Sequence, residues 1–201
     1  MLKMIKGVRI NDLDKLNEEY MITDNCIIAN INADKILKVI NSFVDVQNES
    51  LFLIIEVPTS EKDEKFEGSI VNDFHKDVYY LDNMSKTFAK ELLKTFGNLF
   101  INDGLSQIGV GNQVNNAEIM TDKYNVVNIY NGEDRIEKYE TIMEKNKIKR
   151  VESLMTAWDL FNDNNPGECS SVDEDGKSVY DAIEFLSKEF GLYFAERRVD
   201  S

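Results

Sequence analysis

The chain of 201 residues has one histidine, one tryptophan, two cysteines and two prolines. Each scarcity removes a class of chemistry. With His75 as the sole imidazole, any Ser-His-Asp or Cys-His mechanism must use it, and His-rich zinc or iron sites are excluded. Cys26 and Cys169, far apart in sequence, make neither a disulfide framework nor a zinc site. No Pro-rich linker divides the chain, because Pro58 and Pro166 are the only prolines. The longest apolar run, Leu51 to Ile55, is far short of the roughly 20 residues that cross a bilayer. Met1 to Ile10 carries no apolar stretch followed by a small-residue cleavage site, so the expected compartment is a reducing cytoplasm.

Basic charge is also in deficit. Lys and Arg number 23 against 37 Asp and Glu, for a net charge of −14. A surface of this sign repels nucleic acid and anionic membranes, and leaves a basic protein partner, a cation or a neutral ligand open. The excess is uneven: residues 151–201 hold 12 acidic and 4 basic side chains, residues 101–150 hold 8 and 7. The C-terminal quarter is therefore the first place to look for an electrostatic surface.

What is present describes one globular domain, 1–201, with 42% hydrophobic residues and enough length to bury a core without staples. Leu51–Val57 reads as a central strand, ended by Pro58, and Cys26–Ile31 and Val78–Leu81 read as further strands. Stripes at spacings of three and four predict helices through Ile36–Val44, Met84–Leu99, Ile136–Met143, Val151–Phe161 and Val179–Phe190. Gly97 is placed to stop the second of these, and a short helix carries Leu13, Leu16 and Tyr20 behind Asn11. Leu99 to Tyr130 reads as a meander of three or four antiparallel strands, with Asn102-Asp103-Gly104 as its first turn. Ser178 and Asp181 form a capping box, Gly191 closes the last helix, and Leu192–Val199 is a final strand. Thr59–Gly68 is a charged loop. The absence of a βαβ repeat makes the class α+β, an antiparallel or mixed sheet with a central meander (about residues 98–130) packed against amphipathic helices.

No motif nominates a catalytic set, and none calls for a cofactor. Gly109-Val110-Gly111 lacks both phosphate-loop patterns and marks a bulge or a close approach of backbones. The Asp159–Asp175 stretch is rich in oxygen ligands, but EF-hand spacing fails: Pro166 falls at the fifth position and Asp173 at the twelfth. His75 reads as an exposed loop residue, Cys26 as a buried small hydrophobe and Trp158 as core. The residues nominated for protein binding are Glu168, Asp173, Glu174 and Asp175, with Tyr124 and Tyr130, which strand alternation puts on one face. In size, acidity and lack of catalytic motifs the whole chain resembles the small bacterial immunity proteins that neutralise toxins of competing cells, and its Lys-, Asn- and Ile-rich composition fits a bacterial source. That resemblance implies a non-enzymatic domain that offers an acidic surface to a basic toxin. The alternative is a carboxylate-based or divalent-metal-dependent enzyme, which would show a concave pocket of convergent polar groups with shifted pKa values. Oligomeric state is not encoded in any pattern here.

Overall fold

The computed structural model describes residues 2–48, 50–60, 63, 75–163 and 165–199. In chain order the elements are β1 (Val8–Arg9), β2 (Glu19–Ile22), β3 (Cys26–Asn30), α1 (Ala33–Val46), β4 (Leu51–Pro58) and β5 (His75–Met84). They continue with α2 (Lys86–Asn102), β6 (Gln107–Asn112), β7 (Glu118–Thr121), β8 (Val126–Tyr130) and α3 (Ile136–Lys145). β9 (Lys149–Arg150), β10 (Glu168–Cys169), α4 (Val179–Phe190) and β11 (Tyr193–Val199) complete the elements among the described residues. Nine strands make one mixed sheet in the order β11-β5-β4-β6-β7-β8-β3-β2-β9, and β1 pairs with β10 in a second, two-stranded sheet. Among the described strands only the β2–β9 pair is parallel. The α+β class holds, and β6-β7-β8 is the expected meander.

Residues directly opposite in antiparallel strands share a face, so the register sorts the sheet into two surfaces. Leu53 and Ile55 of β4 lie opposite Val110 and Ile108 of β6, and Ile119 of β7 lies opposite Ile129 of β8. Ile129 in turn faces Ile27 of β3. All are buried, under the apolar stripes of α1, α2 and α3. Ile36, Val39, Ile40 and Phe43 supply the stripe of α1, and Phe43 stacks on Tyr139 of α3 at 5.4 Å. α4 docks against α2 through Val179, Ala182, Ile183 and Leu186. The Ser178–Asp181 capping box starts it and Gly191, at φ 78°, ends it, as expected. None of the described helices is long and apolar enough to cross a membrane.

Several expectations are corrected. Asn98–Ile101 is helical, because the Leu92–Phe96–Leu99 periodicity carries α2 through to Asn102. Gly97 lies inside that helix, where a Cβ would come within 2.7 Å of Leu37 Cδ1; its smallness serves the approach of α1 and α2. Asn102-Asp103-Gly104 consequently joins a helix to a strand instead of two strands. Near the N-terminus only a 3-10 turn, Leu13–Lys15, forms, and Tyr20 belongs to β2. Val151–Phe161 is not one helix either. Its first residue extends the β9 pairing, with Val151 N–H donating to Tyr20 O at 2.8 Å, and only Ala157–Leu160 coils, as a 3-10 turn. Asp159 sets that start by accepting from Thr156 N–H at 2.7 Å. Finally, His75 is a half-buried strand residue opposite Val199 instead of a loop residue. The predicted Thr59–Gly68 loop falls outside the described residues except for Thr59, Ser60 and Asp63.

Candidate functional site

The second face of the sheet mixes polar side chains with apolar ones such as Val78 and Met120. Glu56 of β4 lies opposite Gln107 of β6 and Val78 of β5, whose neighbour two residues earlier on the same face is Lys76. Glu118 of β7 lies opposite Tyr130 of β8, and Met120 opposite Asn128. Arg198 of β11 lies opposite Lys76. In the middle of this face β6 presents Gly109 and Gly111, and the space a side chain would take is already filled. A Cβ on Gly109 would stand 2.5 Å from Met120 Sδ and 2.6 Å from Ile119 O; one on Gly111 would stand 2.1 Å from the Phe52 ring. The expected close approach at Gly109-Val110-Gly111 is thus real, and Gly109→Ala should cost about 2 kcal/mol through overpacking, read as a lower urea midpoint at unchanged m-value.

A concavity of about 310 Å3 opens on this face, lined by Glu56, Lys76, Gln107, Glu118, Asp122 and Tyr130, with Trp158 on its wall. Its charges are unequally satisfied. Glu56 is buried and bridges Lys76 Nζ at 2.6 Å and Arg198 Nη1 at 3.2 Å. Gln107 Nε2 donates to Asp122 Oδ1 at 2.8 Å, and its Oε1 accepts from Lys76 Nζ at 3.2 Å. Asp122 also accepts from Lys123 N–H at 2.7 Å. The Glu118 carboxyl accepts no hydrogen bond from any described residue. Burial pushes its pKa up, the nearby Glu56 charge adds to that, and Arg198 opposes it. Asp122 is also raised, by burial first, against the pull of Lys123 and Lys76. Burial also raises Tyr130 and Tyr80, and lifts the Cys26 thiol to about 11.

Trp158 is 43% exposed instead of core. Its ring is held edge-on by Tyr124 at 5.0 Å and Phe161 at 5.4 Å, so it is a fixed wall of the groove.

The six residues nominated from the sequence fall in separate places. Tyr130 is exposed at the end of β8 and lines the groove. Tyr124 is buried and lies ahead of β8 instead of on it. Tyr124 (φ 60°) and Asn125 (φ 66°) form a left-handed pair ahead of β8, which breaks the alternation on which the pairing rested. Tertiary bonds hold that conformation: Asn125 Oδ1 accepts from Ile5 N–H at 3.0 Å, and its Nδ2 donates to Ile31 O at 2.8 Å. Burial, then a hydrogen bond with the Cys169 thiol, pushes the Tyr124 hydroxyl up. Glu168 is exposed on β10, opposite Arg9. Asp173, Glu174 and Asp175 lead into α4 through a tight turn closed by Glu174–Lys177 backbone bonds of 3.0 Å. Glu174 is turned inward, bound to Lys6 Nζ at 2.6 Å and Asn102 Nδ2 at 2.9 Å; Asp173 and Asp175 are exposed.

Glu174 and Asp175 stand at one end of a second and larger depression, about 770 Å3, between α2 and α4. Phe88, Leu92 and Phe96 line it from α2, Phe185 and Phe190 from α4. Phe185 and Phe190 pack on one another at 5.9 Å yet remain 46% and 41% exposed. Sequence periodicity found both helices but not this trough, because it depends on how far apart the two stripes come to rest. Among the described residues no group of three or more His, Cys, Asp or Glu is disposed to hold a metal ion. No protein-family model, no curated protein and no solved structure matches the chain significantly.

Proposed function

We propose that the chain is a protein-binding domain whose working surface is the α2–α4 trough, and that its partner presents a basic amphipathic segment. The observation that carries this reading is an aromatic trough left open to solvent beside a carboxylate-rich flank. Exposed apolar surface of this kind costs solubility unless it is covered in use. A depression between two helices suits a third helix laid on its apolar face. Charge selects the sign of that helix: from Asp173 to Phe190 the chain carries six carboxylates against two lysines. With Glu174 neutralised by Lys6, the steering falls to Asp173, Asp175 and the acidic residues of α4. A toxin with a basic surface, the partner implied by the likeness to immunity proteins, has this chemistry.

The test uses two synthetic amphipathic helices of equal hydrophobicity, one Leu/Lys and one Leu/Glu. The cationic peptide should bind, with an on-rate that falls at least tenfold between 20 and 300 mM salt. Asp173→Lys with Asp175→Lys should slow association at low salt, while Phe185→Ser should mainly speed dissociation. Equal binding of both peptides, or indifference to Phe185→Ser, would sink the proposal.

A carboxylate enzyme is the second reading. Its support is the sheet groove, where Glu118 and Asp122 both hold their protons more firmly than free carboxyls.

A further inference from the structure

The sheet groove differs from the trough in being lined by charged side chains. Its fixed cations are already committed: Lys76 and Arg198 to Glu56, with Lys123 beside Asp122. An incoming anion would have to compete with buried carboxylates for them. Glu118 is in the opposite position, a partly buried carboxyl without a described hydrogen-bond donor. Opposite it across the β7–β8 pair stands the exposed Tyr130, and Trp158 lines the same groove. Asn128 adds a side-chain amide to the lining. A carboxylate with aromatic faces around it is the setting that holds an ammonium or guanidinium group, by a charge-assisted hydrogen bond and by cation–π attraction.

We propose that this groove binds an organic cation, an ammonium or guanidinium group whose counter-ion is Glu118 and whose walls are Tyr130 and Trp158. The cation arrives either on a free small amine or on an arginine side chain of a protein.

Proton linkage gives the proposal a sign. Around Glu118 stand Glu56 on β4, Lys76 and Tyr80 on β5, Asp122 and Lys123 after β7, Tyr130 on β8, Cys26 on β3 and Arg198 on β11. The tyrosines and Cys26 are all pushed upward and stay neutral below pH 8, and Arg198, raised by its bond to Glu196, stays charged. Glu118 and Asp122 are the groups raised toward the working range. A cation binds the ionised carboxylate, so affinity rises with pH and levels off above the raised carboxyl pKa. A carboxyl whose folded-state pKa is raised stabilises the fold below its unfolded pKa, and that contribution is lost as pH rises through the folded one. At neutral pH, therefore, Glu118→Gln should not lower Tm.

Trp158 is the only tryptophan, so its fluorescence reports this groove alone. Titration with agmatine should give a saturable change whose affinity is higher at pH 7.5 than at pH 4.5. Glu118→Gln should weaken it tenfold or more at unchanged Tm. Phe185→Ser, in the trough, should leave it intact, which separates this proposal from the protein-binding one. Acetyl-arginine amide binding more tightly than agmatine would assign the site to a protein side chain; the reverse order would assign it to a free amine. The proposal fails if agmatine gives no saturable change, if Glu118→Gln binds as the wild type does, or if glucose or succinate bind equally well.

Discussion

Asp103→Ala is expected to unfold the protein at a markedly lower temperature than the wild type, by roughly 10 °C for a loss of about 4 kcal/mol. Asp103 is 1% exposed at the end of α2 and receives four hydrogen bonds. Leu105 N–H at 3.0 Å and Ser106 N–H at 2.8 Å turn the chain from α2 into β6. Ser171 Oγ–H at 2.8 Å and Val172 N–H at 3.0 Å fasten the segment that leads to α4. Alanine would leave three backbone amides without their acceptor in a site water reaches poorly, and the cost of an orphaned donor exceeds the net gain of the bond it made. Asp103→Asn, which keeps one carbonyl oxygen but turns the other acceptor into a donor, should fall between. Ser171→Ala, which deletes one donor and orphans none, should cost about 1 kcal/mol. A urea midpoint for Asp103→Ala close to that of Ser171→Ala would show that the four bonds are not the clasp they resemble. The same residue bears on function, since the segment it fastens carries the Asp173–Asp175 turn and then one wall of the trough.

That role was not legible in the sequence, where Asp103-Gly104 reads as a hairpin turn. Local chemistry identified a reversal of direction correctly and assigned it to the wrong pair of elements, because an Asp-Gly turn signal does not say whether the segment before it coils or extends, and the helical stripe ran on through Leu99. The stripes of α1, α3 and α4, the central strand β4 and the three-strand meander were readable, since each follows from a period of two or 3.6 with its own boundaries. In Val151–Phe161 the helical spacing did not make a helix: Val151 is drawn to β2, more than 120 residues away, and the Thr156–Asp159 capping box starts only the short Ala157–Leu160 turn. The candidate sites were less readable still. Glu174 and Asp175 were singled out for charge and do stand at the trough, but Glu118, Asp122 and the exposed Trp158 carried no signal of their own. Their meeting depends on strand register, and the only trace of it was the pair of glycines in β6, which announces a crowded face without saying what crowds it.

Strand β11 poses the second large effect, and its two neighbouring arginines separate what burial does to an ion pair. Arg197 and Arg198 point to opposite faces. Arg197 binds Asp77 with both ends of its fork, Nε to Oδ1 at 2.7 Å and Nη2 to Oδ2 at 3.2 Å, and Thr59 Oγ1 donates to the same Oδ1 at 2.7 Å. The side chains of this pair are 18% and 7% exposed. Removing one partner strands a buried charge, so Arg197→Ala should cost about 3 kcal/mol or more and speed amide exchange along β11 ahead of the rest of the sheet. Asp77→Leu with Arg197→Met should recover most of that loss, because an apolar pair of similar volume has no desolvation to repay. Arg198, at 43% exposure, bridges Glu56 on the groove face and also reaches Glu196, and its replacement by alanine should cost about 1 kcal/mol or less. The consequence for the groove runs the other way. Arg198 is the cation that lowers the Glu118 pKa, so Arg198→Ala should leave stability nearly intact while moving the midpoint of agmatine binding to higher pH. Arg197→Ala should do the reverse wherever β11 remains paired, and equal stability losses at the two positions would mean that burial is not what distinguishes them.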